Sequence, residues 1–270
     1  MTLIAFQGEE GAYSQEAIFD AFGVETRTVA CRTFEEVFRA VRDARVDMGM
    51  APIENSTAGA INQSYDLLLD YDLPIAREVI FRVHHALMAA PGAALGDIRR
   101  VYSHPQALAQ CERFIGEHGW EPVAAYDTAG AAKQLAVRRE PDAAAIASET
   151  AARIYGLQIL ARRVEDLPNN FTRFFVIART EPPRAEKSKT SLVFATRHMP
   201  GALHACLGEF ASRGINLTKI ESRPDRRDPW HYVFYVDLQI HKDEPACREV
   251  LASLRDKTSF LKVLGSYPAA

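Results

Sequence analysis

The chain lacks most of the features that mark specialised proteins. Its four cysteines, Cys31, Cys111, Cys206 and Cys247, lie far apart and form no Cys-x-x-Cys pair. Small buried hydrophobes are therefore expected, not metal ligands or redox partners. No apolar run is long enough to span a bilayer. The opening Leu3-Ile4-Ala5-Phe6 is too short for the core of a signal peptide and has no basic start. No run of like charge could form a tail. The formal charge of −3 argues against the basic footprint of a nucleic-acid binder. A soluble cytoplasmic protein without nucleic-acid or membrane partners is the expectation.

Several catalytic signatures are missing too. Gly8 and Gly11 are wrongly spaced for Gly-x-Gly-x-x-Gly, and there is no Gly-Lys-Ser/Thr loop or Gly-x-Ser-x-Gly elbow. Lys133 is the one lysine before residue 181 and falls on an expected helix, which disfavours a pyridoxal phosphate Schiff base. His84 and His85 are neighbours on an expected strand, so they point to opposite faces, one to the core and one to the surface. They do not easily share a metal. No cofactor and no metal is expected.

What is present is ordinary globular material, with 270 residues, 47% hydrophobic and 25% charged, enough for two domains. Strands are expected at 3–6, 48–53, 79–89, 101–102, 143–147 and 174–178. Helices are expected at 15–22, with Ser14 as N-cap, and after the Thr33-x-x-Glu36 capping box. There Phe34, Val37, Phe38 and Val41 share one face. Further helices are expected from Pro105, carrying Leu108, Cys111 and Ile115 towards Gly119, at 128–138, and at 148–155 before Gly156. Strands alternating with helices predict an α/β fold with a mostly parallel sheet. Residues 181–189 are polar, with paired prolines, and read as a linker. Beyond it a βαββαβ order predicts a ferredoxin-like module. It has strands at 191–196, 215–221 and 260–264, and another where Trp230 to Ile240 alternate at period two. Its helices are at 202–212 and 246–257, and a polar turn is expected at 224–229.

Polar segments recur at the expected strand ends: 8–14, 52–59, 103–106, 148–150 and 169–174. In open parallel sheets ligands collect there, and helix N-termini favour a small anion. Asn169-Asn170-Phe171-Thr172-Arg173-Phe174 sets a neutral hydroxyl, two amides and one cation around aromatic rings. That is poor equipment for hydrolysis or redox work. It suits a substrate that carries carboxylates and must lose a hydroxyl.

Gly8 to Ser14, Pro52-Ile53-Glu54-Asn55-Ser56, Ser103-His104-Pro105-Gln106-Ala107 and Asn170-Phe171-Thr172-Arg173-Phe174 resemble, in order and spacing, the motifs of the prephenate dehydratase family. Gly201-Ala202-Leu203 and Glu221-Ser222-Arg223-Pro224 resemble the phenylalanine-binding motifs of its C-terminal ACT domain. Glu9, Ala12 and His204 are small departures. The helical chorismate mutase domain of some relatives is not expected, because the chain begins at the first strand. The resemblance implies a two-lobed catalytic region at 1–180, similar to a type II periplasmic-binding-protein fold. Its lobes would be 1–78 plus 162–180, and 79–161. A linker at 181–189 and an ACT domain at 190–270 would follow. It implies conversion of prephenate to phenylpyruvate, L-phenylalanine as effector, and a homodimer or homotetramer.

The roles implied follow the same motifs. Thr172 would assist departure of the hydroxyl, while Asn55, Ser103 and Gln106 orient the substrate. Ser14, Ser56, Thr57 and Phe174 would line the site. Arg173 would either hold a carboxylate or form an ion pair behind the site. Glu54 would either pair with an arginine, the favoured reading, or act as an acid with a raised pKa. Phe171 and Phe174 would be packing residues that exclude water rather than direct contacts. Gly201, Ala202, Leu203, His204, Asn216, Glu221, Ser222, Arg223 and Pro224 would form the phenylalanine site. Arogenate is the rival substrate. A non-catalytic sensor fits the fold equally well, but has no need of Asn55 and Thr172-Arg173-Phe174.

Overall fold

The computed structural model describes residues 2–225 and 231–270. The chain forms two compact units, Met1–Ser64 with Val79–Phe174, and Tyr65–Glu78 with Phe175–Ala270. In chain order the first part contains β1 (Leu3–Gln7), α1 (Tyr13–Phe22), β2 (Arg27–Cys31), α2 (Phe34–Arg42), β3 (Met48–Asn55), β4 (Gly59–Ala60), α3 (Asn62–Asp70) and β5 (Ile75–Arg82). It continues with β6 (Ala86–Ala89), β7 (Arg100–Ser103), α4 (Pro105–Gln110), α5 (Glu112–Glu117), β8 (Glu121–Ala124) and α6 (Thr128–Arg138). Then come β9 (Ala143–Ala147), α7 (Glu149–Tyr155), β10 (Gln158–Arg162) and β11 (Phe171–Ala178). Strand order is β2-β1-β3-β11-β5 in one sheet, with β4 beside β3, and β10-β6-β9-β7-β8 in another.

The centres of both sheets are apolar throughout. Ile4 to Phe6 of β1 are fully buried, and β1 runs parallel to β2 and β3. All five residues of β9 are buried, four of them alanine, and Ala129, Ala131 and Ala132 of α6 are buried as well. Small side chains on both elements let helix and strand approach closely. The second sheet is mixed, because β6 runs antiparallel to β9 and β10 while β7 is parallel to β8 and β9. The mostly parallel expectation is corrected there.

Other expectations shift in informative ways. The strand expected at 79–89 is two strands, β5 and β6, in different sheets. The backbone between them is held from outside, as Val83 N–H donates to Asn170 O at 2.8 Å and His85 N–H to Glu165 Oε2 at 2.9 Å. The helix from Pro105 breaks at Cys111 into α4 and α5. Ser14 lies inside α1, whose N-cap is Ala12 without a side-chain bond. Thr33 does cap α2 by accepting from Glu36 N–H at 3.1 Å, but the Glu36 carboxylate turns to Arg32 N–H at 2.8 Å. β2, β4, α3, β8 and β10 were not expected.

The second unit contains β12 (Ser188–Thr196), α8 (Ala202–Ser212), β13 (Leu217–Pro224), β14 (Tyr232–Leu238), α9 (Pro245–Lys257) and β15 (Thr258–Pro268). The sheet order β13-β14-β12-β15 is antiparallel and ferredoxin-like, as expected. One face of the sheet packs on α8 and α9 through Leu192, Phe194, Val236, Phe210 and Leu254. The expected turn at 224–229 falls mainly outside the described residues, and so does Trp230.

The other face of this sheet receives Tyr65–Glu78. Tyr235 Oη donates to Tyr65 O at 2.9 Å, and their rings lie 4.8 Å apart. Arg223 reaches the buried Asp66 at 3.0 Å, and Lys189 reaches the buried Glu78 at 2.8 Å. Lys262 Nζ donates to the carbonyls of Leu68, Leu69 and Tyr71 at 3.3, 3.1 and 2.8 Å, neutralising the C-terminal end of α3. At Gly265 a Cβ would stand 2.5 Å from Ile75 O, so only glycine permits this approach.

Candidate active site

Strand ends and helix starts of the first unit enclose a cavity of about 420 Å³. Tyr13 and Ser14 reach it from the first turn of α1, and Thr128 from that of α6. Asn55 ends β3 and Thr172 stands on β11. No lysine or arginine is among the described residues lining it. Any anion held here is received by neutral donors and by the positive ends of α1 and α6.

Asn55 anchors a network whose directions can be read from the backbone. Its Oδ1 receives the N–H groups of Thr57 and Ala58, both at 3.0 Å. An N–H only donates, so this fixes which end of the amide is oxygen. Asn55 Nδ2 then donates to Asn170 Oδ1 at 2.8 Å and to Thr172 Oγ1 at 3.1 Å. Asn170 Nδ2 donates to Gln110 Oε1 at 3.0 Å. Gln110 Nε2 donates to Thr57 Oγ1 at 2.6 Å, and the Thr57 hydroxyl returns to Asn55 Oδ1 at 2.6 Å. Thr172 is therefore an acceptor towards the protein. Its own hydrogen has no acceptor among the described residues, which leaves it for a ligand.

On another wall, Tyr13 Oη lies 2.5 Å from His85 Nδ1, and His85 Nε2 lies 2.8 Å from Gln110 Oε1. Burial holds the His85 pKa below the ordinary imidazole value and raises that of the Tyr13 phenol well above its ordinary value, with Glu16 adding to the latter. Burial also pushes Glu165 upward. The His84 ring and the His85 N–H outweigh it, and Glu165 titrates below the usual carboxylate value.

Asn55, Thr172, Gln106, Ser14 and Phe174 all line the cavity, as the sequence suggested. Ser103 does not; it is fully buried and donates to Ile146 O at 2.6 Å, tying β7 to β9. Ser56 is also turned away, bonded to Asn169 O and Phe171 N. Thr57 acts through Asn55 and Gln110. Arg173 neighbours Thr172 on a strand and so faces the other side. It lies 4.0 Å from Glu54, off the cavity, which fits the ion-pair reading of both residues. Phe174 is buried, whereas Phe171 is partly exposed beneath the Arg82 guanidinium, 5.8 Å away.

Ser148 also avoids the cavity. It caps α7 and donates to Gly11 O at 2.6 Å, while Lys133 meets Glu9 at 2.7 Å. These bonds fasten the loop after β1 to α6 and α7. Tyr13, His85, Gln110 and Asn170 received no role from sequence. Gln110 had one signal, since it stands four residues after Gln106 on the same helix and hence on the same face.

In the second unit Gly201 caps α8 with φ +78°, a left-handed conformation, and Ala202, Leu203 and His204 form its first turn. Asn216 is exposed and donates to Gln239 at 2.7 Å. Glu221, Ser222, Arg223 and Pro224 end β13. Glu221 lies 3.9 Å from Lys219, whereas Arg223 turns to Asp66.

The profile of the family described as prephenate dehydratase matches residues 4–182, and that of the ACT domain matches residues 190–256. Arogenate dehydratase/prephenate dehydratase 2, chloroplastic, of Arabidopsis thaliana is 45% identical over 276 residues, covering 98% of this chain and 72% of its own. A solved structure described as GqqA, a novel type of quorum quenching acylase, is 38% identical with a TM-score of 0.92, covering 99% of this chain and 98% of its own. The prephenate dehydratase of Arthrobacter aurescens in complex with L-Phe is 33% identical with a TM-score of 0.91, covering 99% of this chain and 90% of its own.

Proposed function

Since this chain belongs to the prephenate dehydratase family and carries a C-terminal ACT domain, we propose that it converts prephenate to phenylpyruvate with loss of water and carbon dioxide. The observation that carries this reading is Thr172. Its oxygen accepts from Asn55 and its hydrogen is left for the cavity. In the reaction the bond to the ring carboxylate breaks and its electron pair enters the ring. The hydroxyl leaves with the electron pair of its own bond, and a proton ultimately from solvent completes the water. The ring becomes aromatic, so the driving force is intrinsic. The protein supplies orientation and a hydrogen bond to the departing oxygen. A cavity with no lysine or arginine among its described lining residues suits this chemistry, because a cation clamped on the departing carboxylate would stabilise the ground state.

Within this reading Asn55 and Gln106 orient the substrate and Ser14 adds a neutral donor. Residues 1–180 form the catalytic region, 181–189 the linker and 190–270 the ACT domain. L-phenylalanine binds at Gly201 to His204 and Asn216 with Glu221 to Pro224, and lowers turnover. The protein works in the cytoplasm as a homodimer or homotetramer, which sedimentation of the purified chain would resolve.

The test is phenylpyruvate formation by the purified chain, with arogenate and an N-acyl amide assayed alongside. A higher kcat/KM for prephenate than for arogenate supports the proposal. The reverse moves the activity to arogenate, and amide cleavage alone moves it towards the acylase relative. Phenylalanine is expected to lower turnover of the wild type and to act less on Gly201→Val, whose β-branched side chain strains a position at φ +78°. Equal inhibition of both proteins would move the effector site elsewhere.

A further inference from the structure

The network around Asn55 reaches a residue to which neither the motifs nor the proposed reaction assigns a part. We infer that His85 is a positioning residue, held as the neutral Nε2–H tautomer, whose N–H sets the amide of Gln110 and through it the hydrogen bonds around Asn55 and Thr172. The inference rests on the reading of Thr172 as donor to the leaving hydroxyl.

Thr57 and Ala58 N–H fix the Asn55 amide, Asn55 fixes that of Asn170, and Asn170 fixes Oε1 of Gln110 as the atom facing His85. A carbonyl oxygen only accepts. The His85 Nε2 that lies 2.8 Å from it must therefore carry a hydrogen. A neutral imidazole has one N–H, so Nδ1 is bare, and the Tyr13 hydroxyl 2.5 Å away donates to it. His85 is 2% exposed. The titratable groups around it are Tyr13 from α1, and His84 and Glu165 beside it. Glu165 already accepts from the His84 ring and from the His85 backbone N–H. Burial then keeps the His85 ring neutral.

The consequence runs back towards Thr172. With a bare Nε2, Gln110 would turn its NH₂ to His85. Its carbonyl would then face Asn55 Oδ1, at present 3.4 Å from Nε2. Two carbonyl oxygens in contact repel, so the Asn55 amide would shift and its bond to Thr172 Oγ1 would loosen. A polar network of this kind is strong only while every member keeps its direction.

The test joins spectroscopy and kinetics on the full chain. Protein labelled with ¹⁵N-histidine is examined by long-range ¹H–¹⁵N correlation at neutral pH, and His85 is assigned by the signal lost in His85→Asn. A protonated Nε2 with a bare Nδ1 is expected. A protonated Nδ1 or an imidazolium would overturn the inference whatever the substrate proves to be. His85→Gln keeps a donor near the position of Nε2, whereas His85→Asn does not reach it. His85→Asn is expected to lower kcat roughly 10-fold with little change in KM, and His85→Gln to restore most of it. Equal kcat in both variants and wild type would reduce His85 to packing. A wild type that does not turn over prephenate, with the expected tautomer present, would count against the proposed reaction and not against the tautomer.

Discussion

Thr172→Ala removes a hydroxyl whose oxygen is held by Asn55, yet Asn55 Nδ2 keeps Asn170 Oδ1 and the Phe171 carbonyl as acceptors. The expected result is a kcat lower by roughly 10² with KM nearly unchanged, as for a group acting in the transition state. Thr172→Ser should recover most of the rate. Unaltered turnover in the alanine variant would remove Thr172 from the mechanism. His85 also has a signature in stability. Its folded pKa lies below the unfolded value of about 6.5, so under acid the unfolded chain takes up a proton that the folded chain refuses. Its contribution is constant above that pH and becomes increasingly destabilising below it, down to the folded pKa. Tyr13, His84 and Glu165 surround the ring; the Gln110 hydrogen bond and Glu165 oppose the shift, and burial outweighs both. Urea titrations should therefore show wild type losing stability relative to His85→Asn as pH falls from about 6.5. A gap that does not change with pH would mean that His85 titrates normally.

Among the elements, the loop after β1 is the most tightly specified. Gly11 has φ +86°, and an added Cβ would stand 2.7 Å from the Ala151 Cα on α7. Backbone cannot yield as a side-chain tip can. Gly11→Ala is expected to cost about 1–3 kcal/mol in thermal unfolding. It should also raise KM, because Tyr13 and Ser14 follow directly. An unchanged Tm and KM would show that loop and helix separate freely. Three of the four strands that the sequence did not reveal, β2, β8 and β10, are sheet edges. Most of β2 and β8 is exposed. An edge strand makes few demands on its side chains, so periodicity hardly marks it. Centre strands such as β9, and α6 with its Asp127 cap accepting from Gly130 N–H at 2.8 Å, were legible because burial and capping both act locally.

At the scale of the whole molecule, Tyr65–Glu78 belongs with the C-terminal sheet although it lies more than a hundred residues upstream of that sheet. Arg223→Met would leave Asp66, itself buried, without the guanidinium 3.0 Å away. Removing one partner of such a pair costs about 3–5 kcal/mol, so Tm should fall by several degrees. Amide exchange should rise first in Tyr65–Glu78. A silent variant would show that Asp66 is satisfied without Arg223. The sequence alone determined the order of strands and helices in the centres of the sheets, the ferredoxin-like module, the burial of the cysteines, and the family motifs with Asn55, Thr172, Gln106 and Ser14. Each of these depends on residues close in sequence, through periodicity, capping or contiguous motifs. Tertiary structure alone decided that Ser103, Ser56 and Arg173 turn away from the cavity while Tyr13, His85 and Gln110 join it, with Asn170 behind them bonded to Asn55 and Gln110. It also decided that Arg223 serves Asp66. Hydrogen-bond partners and ion pairs are chosen by distance in space, and residues 55, 85, 110 and 170 meet only when separate strands and helices have been packed together.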